Sequence, residues 1–317
     1  MTAAMDAADP WLPRALGRVE ERLAELASGH GSRVGEDAEA TLRAGGKRLR
    51  PLLVLLCAGP QADDRAVAAA TAVELIHMAT LVHDDVLDSA PVRRGQPTVL
   101  ARSGRDRATA VGDFLLSRAF AELAAVDDQE AIHTLAAAST SLARGELAQR
   151  EGAYDLGLSE HDYFHRCSLK TARLFEASCR VGKRSTSEIG VAELAEFGSR
   201  IGLAFQLLDD VLDVVGPPER TGKAIGTDLL DGTVTLPLIW AREIDPEIAA
   251  DGLEGLDEES AATICQRIVA TRATDRVRAR AREEIDAAKA TLGSAGLDPE
   301  EVRLFSMIAD GVVERYS

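Results

Sequence analysis

The residues best suited to do chemistry in this chain form one pentapeptide that occurs twice. Asp-Asp-Val-Leu-Asp stands at Asp84–Asp88 and again at Asp209–Asp213. Each copy ends a long, mostly apolar stretch that predicts a buried helix. Burying three carboxylates at the end of an apolar helix is costly unless cations neutralise them. The two copies therefore predict a polynuclear site for divalent metal ions.

The spacing of the polar residues places them on one face of each helix. Asp84 and Asp88 each fall within about 20° of His77, on either side of it, on an ideal helix. Gln206 and Asp213 coincide equally well, with the other two aspartates of that copy beside them. Mg²⁺ binds through one or two carboxylates together with substrate phosphate oxygens. Two such helices facing each other are expected to clamp several Mg²⁺ ions around a diphosphate, whereas a solvated helix end is the alternative for a single copy.

Two basic clusters stand near the first aspartate motif. Gly-Gly-Lys-Arg-Leu-Arg-Pro occupies 45–51, and Arg93-Arg94-Gly95 follows the motif after a short loop. Arg binds phosphate oxygens through two N–H groups at once, and Lys acts as a point charge. Neither cluster has acidic partners nearby in the sequence. Both are candidates for phosphate binding, with ordinary surface charge as the alternative.

Helices must position these residues, because strand signals are nearly absent. Segments rich in Ala, Leu, Glu and Arg predict helices over 11–28, 35–44, 51–58, 64–88, 106–126, 129–152, 160–182, 188–215, 235–243, 258–270, 272–293 and 298–315. Gly and Pro clusters separate them, and no linker divides the chain. We expect one all-α domain over residues 1–317, with a motif-bearing core at about 40–240 and a charged C-terminal helical cap at about 245–317.

Composition limits the partners and the location. The chain has 317 residues and a formal net charge of −16, which argues against nucleic acid as the main partner. Its four cysteines are scattered without a Cys-x-x-Cys pair, which predicts free, buried thiols in a reducing compartment. The first residues lack a signal-peptide pattern, and the longest apolar run, Leu52–Ala58, is too short to span a bilayer. We expect no transmembrane segment and a cytoplasmic location.

Taken together, these motifs resemble the all-trans polyprenyl diphosphate synthases over about residues 40–240. The matching segments are GGKRLRP at 45–51, ELIHMATLVHDDVLD at 74–88, RRG at 93–95, GDFLLSRAF at 112–120, KTARLFEAS at 170–178, FQLLDDVLD at 205–213 and GKAIGTDL at 222–229. The resemblance implies a fold of the isoprenoid synthase type, a single-domain bundle of antiparallel helices around a deep central cavity. It also implies a homodimer, with a heteromeric partner as the alternative.

The resemblance implies a role for each matching residue. The Mg²⁺ ligands are Asp84, Asp88 and Asp209, and up to three ions are expected with the allylic diphosphate. The aspartates that support the ions directly or through water are Asp85, Asp210 and Asp213. The isopentenyl diphosphate ligands are Lys47, Arg50, His77 and Arg94. The residues facing the allylic diphosphate are Arg93, Lys170, Thr171, Gln206 and Lys223. The six aspartates and Lys170 form the expected catalytic set.

The implied reaction is Mg²⁺-dependent elongation of an allylic diphosphate by isopentenyl diphosphate. Mg²⁺ and the cations stabilise the departing diphosphate, so that the allylic C–O bond ionises. The double bond of isopentenyl diphosphate attacks the carbocation, and proton loss gives a longer all-trans polyprenyl diphosphate. An apolar cavity protects the cation from water.

One position departs from the family pattern. After the second motif the family reads G-K-x-x-G-x-D-L-x-x-G-K-x-T-L-P, and Thr233 stands in place of the second lysine. That lysine normally helps to neutralise the allylic diphosphate. We therefore expect weakened rather than abolished catalysis.

Product length depends, by the same resemblance, on the residues four and five positions before the first aspartate, Thr80 and Ala79. Thr80 lies one turn, roughly 6 Å along the helix axis, from that aspartate. Two small side chains leave the path open towards Ile76, which predicts products longer than geranylgeranyl diphosphate. The alternative is that Phe114 or Phe120 on a neighbouring helix closes the path.

Two other functions compete with this prediction. A terpene cyclase shares the ionisation chemistry, but usually carries a different second motif and an aromatic pocket, and aromatics are only 4% of this chain. A non-catalytic subunit that binds or regulates a partner generally lacks some of the aspartates, and here all six are present. Turnover by the purified chain alone distinguishes these possibilities.

Overall fold

A computed structural model describes residues 2–8, 10–28, 33–43, 45–46, 48–93, 95–216 and 225–314. Three of the predicted diphosphate ligands, Lys47, Arg94 and Lys223, lie outside the described residues. Their roles stay predictions from the sequence.

Helices account for nearly all of the regular structure. In chain order they are α1 (Thr2–Ala7), α2 (Trp11–Ser28), α3 (Arg33–Arg43), α4 (Leu49–Ala58), α5 (Asp64–Leu87), α6 (Val99–Ser103), α7 (Arg105–Ala125), α8 (Gln129–Glu151), α9 (Glu160–Cys167), α10 (Arg173–Arg184), α11 (Val191–Val215), α12 (Thr227–Leu230), α13 (Leu236–Ile244), α14 (Glu258–Ala270), α15 (Ala273–Thr291) and α16 (Pro299–Glu314). The all-α prediction is confirmed.

Two short helical turns and one two-stranded hairpin interrupt the pattern of α-helices. A π-helical turn, Ser168–Ala172, joins α9 to α10, and a 3₁₀ turn, Leu292–Ser294, follows α15. Strands β1 (Val92–Arg93) and β2 (Gln96–Pro97) pair antiparallel, directly after the first aspartate motif. The hairpin turns the chain back, so that Arg93 lies near the end of α5.

The chain divides into two compact units. The first comprises Met1–Ser139, Leu174–Gly198 and Thr291–Met307, and the second comprises Thr140–Arg173, Ser199–Ala290 and Ile308–Ser317. Each has its own buried apolar residues, such as Ile76 and Phe175 in the first and Leu208 and Ile268 in the second. The first aspartate motif belongs to the first unit and the second motif to the second unit. The expectation of a single domain stays a prediction.

Helix α5 carries the first motif through the core of its unit. The Asp63 carboxylate accepts a hydrogen bond from the Ala66 backbone N–H at 3.0 Å and caps the helix N-terminus. Side chains such as Leu75 and Ile76 are fully buried, and each such side chain stabilises the fold by about 1.5–3 kcal/mol. The helix is long and apolar enough to cross a membrane, but 78% of its apolar window is buried inside the protein. Its composition is therefore explained by packing.

Helix α7 lies directly against α5 in the first unit. Gly112 makes this approach possible, because a Cβ atom there would lie 2.2 Å from Nε2 of His83. In the second unit, Gly145 of α8 has a similar function, since its Cβ would lie 2.6 Å from the backbone nitrogen of Lys170. Both glycines bring helices close to residues that flank or belong to the predicted site.

The prediction of free, buried thiols is confirmed, whereas the reducing compartment stays a prediction. Cys57, Cys167, Cys179 and Cys265 are all free and buried.

Candidate active site

The first motif ends α5 with one buried aspartate between two less buried ones. Asp84 and Asp88 are half-buried, whereas Asp85 is 5% exposed. Nε of Arg93 donates to Oδ1 of Asp85 at 2.6 Å. The side chain of Asp85 is thereby held against the hairpin that follows the helix.

The pairing of Arg93 differs from the sequence prediction, which gave this cluster no acidic partner. The turn formed by β1 and β2 brings Arg93 back to Asp85, eight residues earlier in the chain. A guanidinium group has five N–H donors in a fixed fork. The bond to Asp85 orients Arg93. The role of Arg93 in binding the allylic diphosphate stays a prediction.

A cavity of about 340 Å³ adjoins this ion pair. Its wall is formed by α3, α5, α6 and the hairpin, and includes Thr41, Leu81 and Thr98 besides the paired residues. Asp85 is the aspartate of the first motif that borders this cavity.

The second motif repeats the arrangement in the second unit. Asp210 is 3% exposed, while Asp209 is exposed and Asp213 is half-buried. The Tyr163 hydroxyl donates to Oδ2 of Asp210 at 2.6 Å, and Nε2 of Gln206 donates to Oδ1 at 2.7 Å. Both oxygens of the buried carboxylate thus have a partner.

Thr171 extends this network to the π-helical turn. Its hydroxyl donates to Oε1 of Gln206 at 2.6 Å, which leaves the amide of Gln206 to donate to Asp210. Thr171 and Gln206, both predicted to face the allylic diphosphate, are therefore neighbours in the structure. Their contact with Asp210 shows that they also position the second motif.

The environment of Asp210 raises its pKa to about 7. Burial is the largest cause, and the negative charge of Asp228 adds to it. The hydrogen bonds from Tyr163 and Gln206 and the positive charge of Arg166 act in the opposite direction and limit the rise. A nearby cation would favour the ionised carboxylate.

The segment after α11 is attached to the last aspartate of the motif. Oδ2 of Asp213 accepts from the Asp228 backbone N–H at 3.2 Å, and its backbone oxygen accepts from the Gly226 N–H at 2.9 Å. Asp213 therefore helps to hold the segment Gly226–Asp228 against α11. These two bonds show that Asp213 supports the protein backbone next to the motif, and its predicted support of the metal ions stays a prediction.

The two motifs have the same pattern of burial and hydrogen bonding. In both copies the second aspartate is buried and hydrogen-bonded by a Tyr, Gln or Arg side chain. The first and last aspartates are more accessible to solvent. Asp84, Asp88 and Asp209, the predicted metal ligands, all belong to the accessible set. Among the described residues, no three His, Cys, Asp or Glu side chains converge into a ready metal cluster, and the ligand set stays a prediction.

Lys170 lies on the π-helical turn with two partners from α8. Its Nζ lies 2.5 Å from Oε2 of Glu146 and donates to Oε1 of Gln149 at 3.2 Å. Burial by itself raises the pKa of Glu146, but the charges and hydrogen bonds of Lys170 and Arg150 outweigh it and lower the pKa below its ordinary value. Glu146 is therefore ionised and fixes the direction of the Lys170 ammonium.

The predicted ligands for isopentenyl diphosphate within the described residues are Arg50 and His77. Both are half-buried in the first unit. The Arg50 guanidinium lies over the buried ring of Phe175, 4.4 Å from its centroid. This cation–π contact limits the directions that the guanidinium can take.

The predicted chain-length residues differ in their exposure. Ala79 and Ile76 are 1% and 0% exposed, whereas Thr80 is half-buried, and its hydroxyl donates to the His77 carbonyl at 2.8 Å. The alternative residues, Phe114 and Phe120, lie on α7, the helix that packs along α5, and both are half-buried. Thr80 is thus the member of the predicted set best placed to contact a ligand.

Sequence reasoning missed the buried Tyr163 and Arg166 beside the site. It placed Arg48 in a basic cluster without acidic partners, whereas Arg48 is buried and bonded to two glutamates. Tyr163 bonds Asp210, Arg48 bonds Glu74, and Nη2 of Arg166 donates to the Val234 carbonyl at 2.7 Å, next to Thr233. Tyr163 precedes Lys170 by two helical turns and so belongs to the same face, which was the available signal. The contacts of the two arginines depend on chain segments far away in sequence and gave no local signal.

Comparison with known proteins decides the family. A model of the family described as polyprenyl synthetase matches residues 32–270. The chain belongs to the polyprenyl synthetase family. It is an enzyme of the polyprenyl diphosphate synthase family, a prenyltransferase of isoprenoid biosynthesis. The family uses a divalent metal ion with a diphosphate substrate.

Two curated members of the family are similar over most of their length. Heptaprenyl diphosphate synthase component 2 of Geobacillus stearothermophilus is 40% identical over 256 residues, covering 78% of this chain and 80% of that protein. Geranylfarnesyl diphosphate synthase of Aeropyrum pernix is 36% identical over 299 residues, covering 86% of this chain and 92% of that protein.

A solved structure shares the fold of this polyprenyl synthetase. Polyprenyl synthase of Caulobacter crescentus CB15, complexed with calcium and isoprenyl diphosphate, superposes with a TM-score of 0.92 at 32% identity, covering 98% of both chains. The fold is therefore that of the isoprenoid synthases, as the resemblance implied.

Proposed function

We propose that this polyprenyl synthetase condenses isopentenyl diphosphate with an allylic diphosphate and releases an all-trans polyprenyl diphosphate longer than geranylgeranyl diphosphate. The observation that carries the proposal is the repeated motif, in which a buried central aspartate is locked by hydrogen bonds while the outer ones stay accessible. Such a motif at the end of each of two apolar helices supplies accessible oxygen ligands.

The donor set fits Mg²⁺. Asp84, Asp88 and Asp209 offer the hard carboxylate oxygens that Mg²⁺ prefers, and they would hold the ions together with phosphate oxygens of the substrate. The bound ions, up to three, neutralise the charge that develops on the departing diphosphate. Asp85, Asp210 and Asp213 support these ligands through the fixed backbone of each motif.

The side chains of this enzyme bind and orient the two substrates. Arg50 and His77, with Lys47 and Arg94, bind the diphosphate of isopentenyl diphosphate. Thr171 and Gln206, with Arg93, Lys170 and Lys223, bind the allylic diphosphate. Glu146 fixes the side-chain conformation of Lys170. Less conformational entropy is therefore lost when the Lys170 ammonium binds the diphosphate.

The small residues before the first motif support a long product. Ala79 and Thr80 place no bulky side chain one turn before Asp84. The names of the relatives from Geobacillus and Aeropyrum, a heptaprenyl and a geranylfarnesyl diphosphate synthase, both denote products longer than geranylgeranyl diphosphate.

We infer a homodimer as the working form, and a heteromer is the second candidate. The name of the Geobacillus relative, component 2, favours the second candidate, because it implies another component. If the purified chain elongates a primer without any partner, the heteromer is not required.

Asparagine substitutions of the accessible aspartates test the proposed function. Asp84→Asn and Asp209→Asn keep the shape of the side chain and remove the charge, so each is expected to lower kcat on the order of a hundredfold with farnesyl and isopentenyl diphosphates and Mg²⁺. Asp127→Asn is the matched control, since Asp127 is exposed in a loop with φ 51°, a conformation that Asn tolerates. Full activity in the two motif variants would contradict the proposal.

A further inference from the structure

Arg48 lies between two predicted diphosphate ligands in sequence, Lys47 and Arg50, yet its side chain is 8% exposed. Its backbone has φ 47° and ψ 36°, the left-handed conformation that a residue with a side chain rarely adopts. This backbone conformation immediately precedes α4. The side chain of Arg48 is buried in the protein, whereas a surface arginine would extend into solvent.

The buried guanidinium of Arg48 is bonded to two glutamates from different helices. Nη1 donates to Oε1 of Glu74 at 2.7 Å, and Nε donates to Oε1 of Glu20 at 2.7 Å. Nη2 donates to Oε2 of Glu20 and to the Leu42 carbonyl, both at 3.3 Å. One side chain therefore joins α2, the end of α3 and the middle of α5.

These contacts keep Arg48 charged. Burial alone lowers the pKa of Arg48, but the hydrogen bonds and charges of Glu20 and Glu74 outweigh burial and raise it. Glu74 is 3% exposed, so its carboxylate depends on Arg48 for compensation. The pair is a fixed link rather than a mobile surface ion pair.

The link joins the two chain segments that carry the predicted isopentenyl diphosphate ligands. Glu74 precedes His77 by about one turn of α5, and Arg48 precedes Arg50 by two residues. A shift of the Arg48 loop relative to α5 would change the distance between Arg50 and His77. Both must reach one diphosphate at the same time.

We propose that Arg48, through Glu74, is a positioning residue for the isopentenyl diphosphate subsite of this enzyme. The inference rests on the proposed function for the identity of the ligand. Arg48 contacts neither substrate and acts by setting the spacing of Arg50 and His77. Its loss should weaken the binding of isopentenyl diphosphate selectively, while the allylic subsite of the second motif is unaffected.

Separate Michaelis constants for the two substrates test this inference. Arg48→Lys keeps the charge but removes the forked donor geometry, and Glu74→Gln keeps the shape but removes the charge. For both variants KM for isopentenyl diphosphate is expected to rise roughly tenfold, with KM for farnesyl diphosphate within about twofold of the wild type.

The control is another ion pair of the first unit in which an arginine bonds a buried glutamate. Nε and Nη2 of Arg22 donate to the two oxygens of Glu122 at 2.7 and 2.9 Å, and Glu122 is 7% exposed. This pair joins α2 to α7 and contacts no predicted ligand. Glu122→Gln is expected to lower the thermal midpoint as Glu74→Gln does, with both KM values unchanged.

Glu20→Gln tests the inference even if Arg48→Lys and Glu74→Gln, which change buried residues, fail to fold. Glu20 has a side chain that is 44% exposed, and its loss leaves the bond between Arg48 and Glu74 in place. A selective rise of about twofold in KM for isopentenyl diphosphate is expected. A variant series in which both KM values rise together, or in which only stability falls as in Glu122→Gln, would overturn the inference.

Direct binding separates this inference from the proposed function. Calorimetric titration of the wild type and variants with isopentenyl diphosphate alone requires no turnover. Wild-type binding without elongation would contradict the proposed function, and the variants would still test Arg48 through their Kd values. Elongation by the wild type with equal Kd for all variants would contradict the role of Arg48 and leave the function intact.

Discussion

At the scale of single residues, the repeated motif works through unequal environments for identical side chains. Asp85 and Asp210 are buried and each accepts a short hydrogen bond at 2.6 Å, from Arg93 and Tyr163 respectively. A fixed central carboxylate orients the helix end that carries its neighbours. The accessible aspartates can then meet a cation without reorganising the backbone.

Thr233 gives the first prediction at this scale. Thr233 is 9% exposed, and its backbone N–H donates to the Asp228 carbonyl at 2.7 Å, so a side chain there is anchored close to the second motif. Thr233→Lys restores the family's second lysine and is expected to raise kcat/KM for the allylic substrate severalfold, by roughly 1 kcal/mol of transition-state stabilisation. Steady-state kinetics with farnesyl diphosphate as the varied substrate measures the change.

Thr233→Met is the control for this substitution, because it adds length without charge. It is expected to leave kcat/KM at or below the wild-type value. An unchanged kcat/KM in Thr233→Lys would show that the missing lysine does not weaken catalysis, and the nearby buried guanidinium of Arg166 would then be the first residue to examine.

The position of the six aspartates near the ends of two helices was predictable from the sequence, but their hydrogen-bond partners were not. Spacing alone assigned the six aspartates to two helix ends, since helical periodicity is a local property. The bond from Arg93 to Asp85 depends on a two-residue hairpin, and the bond from Tyr163 to Asp210 spans 47 positions in the chain. Such contacts follow from tertiary packing, which periodicity does not encode.

At the scale of elements, the predicted helices agree closely with those observed. The helices over 11–28 and 258–270 have the predicted bounds, and α5 ends one residue earlier than predicted. Three short helices, α1, α6 and α12, were not predicted. The predicted helix over 160–182 also contains the π-helical turn Ser168–Ala172. A π turn uses the same helix-forming residues with one wider hydrogen bond, so composition gives no sign of it.

Helix α5 carries the prediction on product length. Thr80 is half-buried, whereas Ala79 is tightly packed, so Ala79→Phe carries an overpacking cost of about 1–3 kcal/mol. Thr80→Phe places a ring one turn before Asp84 and is expected to shorten the product by one or more isoprene units. Ala79→Phe is expected to act in the same direction in whatever fraction folds. Chromatography of the dephosphorylated products measures the distribution.

The control for this prediction is another half-buried position on the same helix. Leu81 faces the cavity beside Asp85 and Arg93, and Leu81→Phe adds similar bulk there. It is expected to leave the product length unchanged. Suppose that Thr80→Phe also left the product length unchanged while Phe114→Ala lengthened the product. The residue that closes the path of the growing chain would then lie on α7 instead of α5.

At the scale of the whole molecule, buried thiols couple stability to pH. Burial raises the pKa of Cys167 to about 12, and the charge of Asp210 adds to the effect. In the unfolded chain the thiol pKa is about 8.5. The stabilisation linked to the protonated thiol is therefore fully present below pH of about 8.5 and is lost as pH rises towards about 12.

Cys167→Ser removes this titration and tests it. Between pH of about 9 and 10.5 the free energy of unfolding of the wild type is expected to fall relative to the variant by about 1.4 kcal/mol per pH unit. Urea unfolding at several pH values measures both proteins, and titrations common to both cancel in the difference. A difference that stays constant over this range would contradict the assignment.

As a whole molecule, this polyprenyl synthetase is proposed to elongate an allylic diphosphate by itself into a product longer than geranylgeranyl diphosphate. The most direct measurement incubates the purified chain with farnesyl diphosphate, isopentenyl diphosphate and Mg²⁺, and sizes the dephosphorylated products. We expect products longer than geranylgeraniol that disappear when the metal is chelated. Absence of elongation with every allylic primer would contradict this proposal and would indicate a chain that depends on a partner subunit.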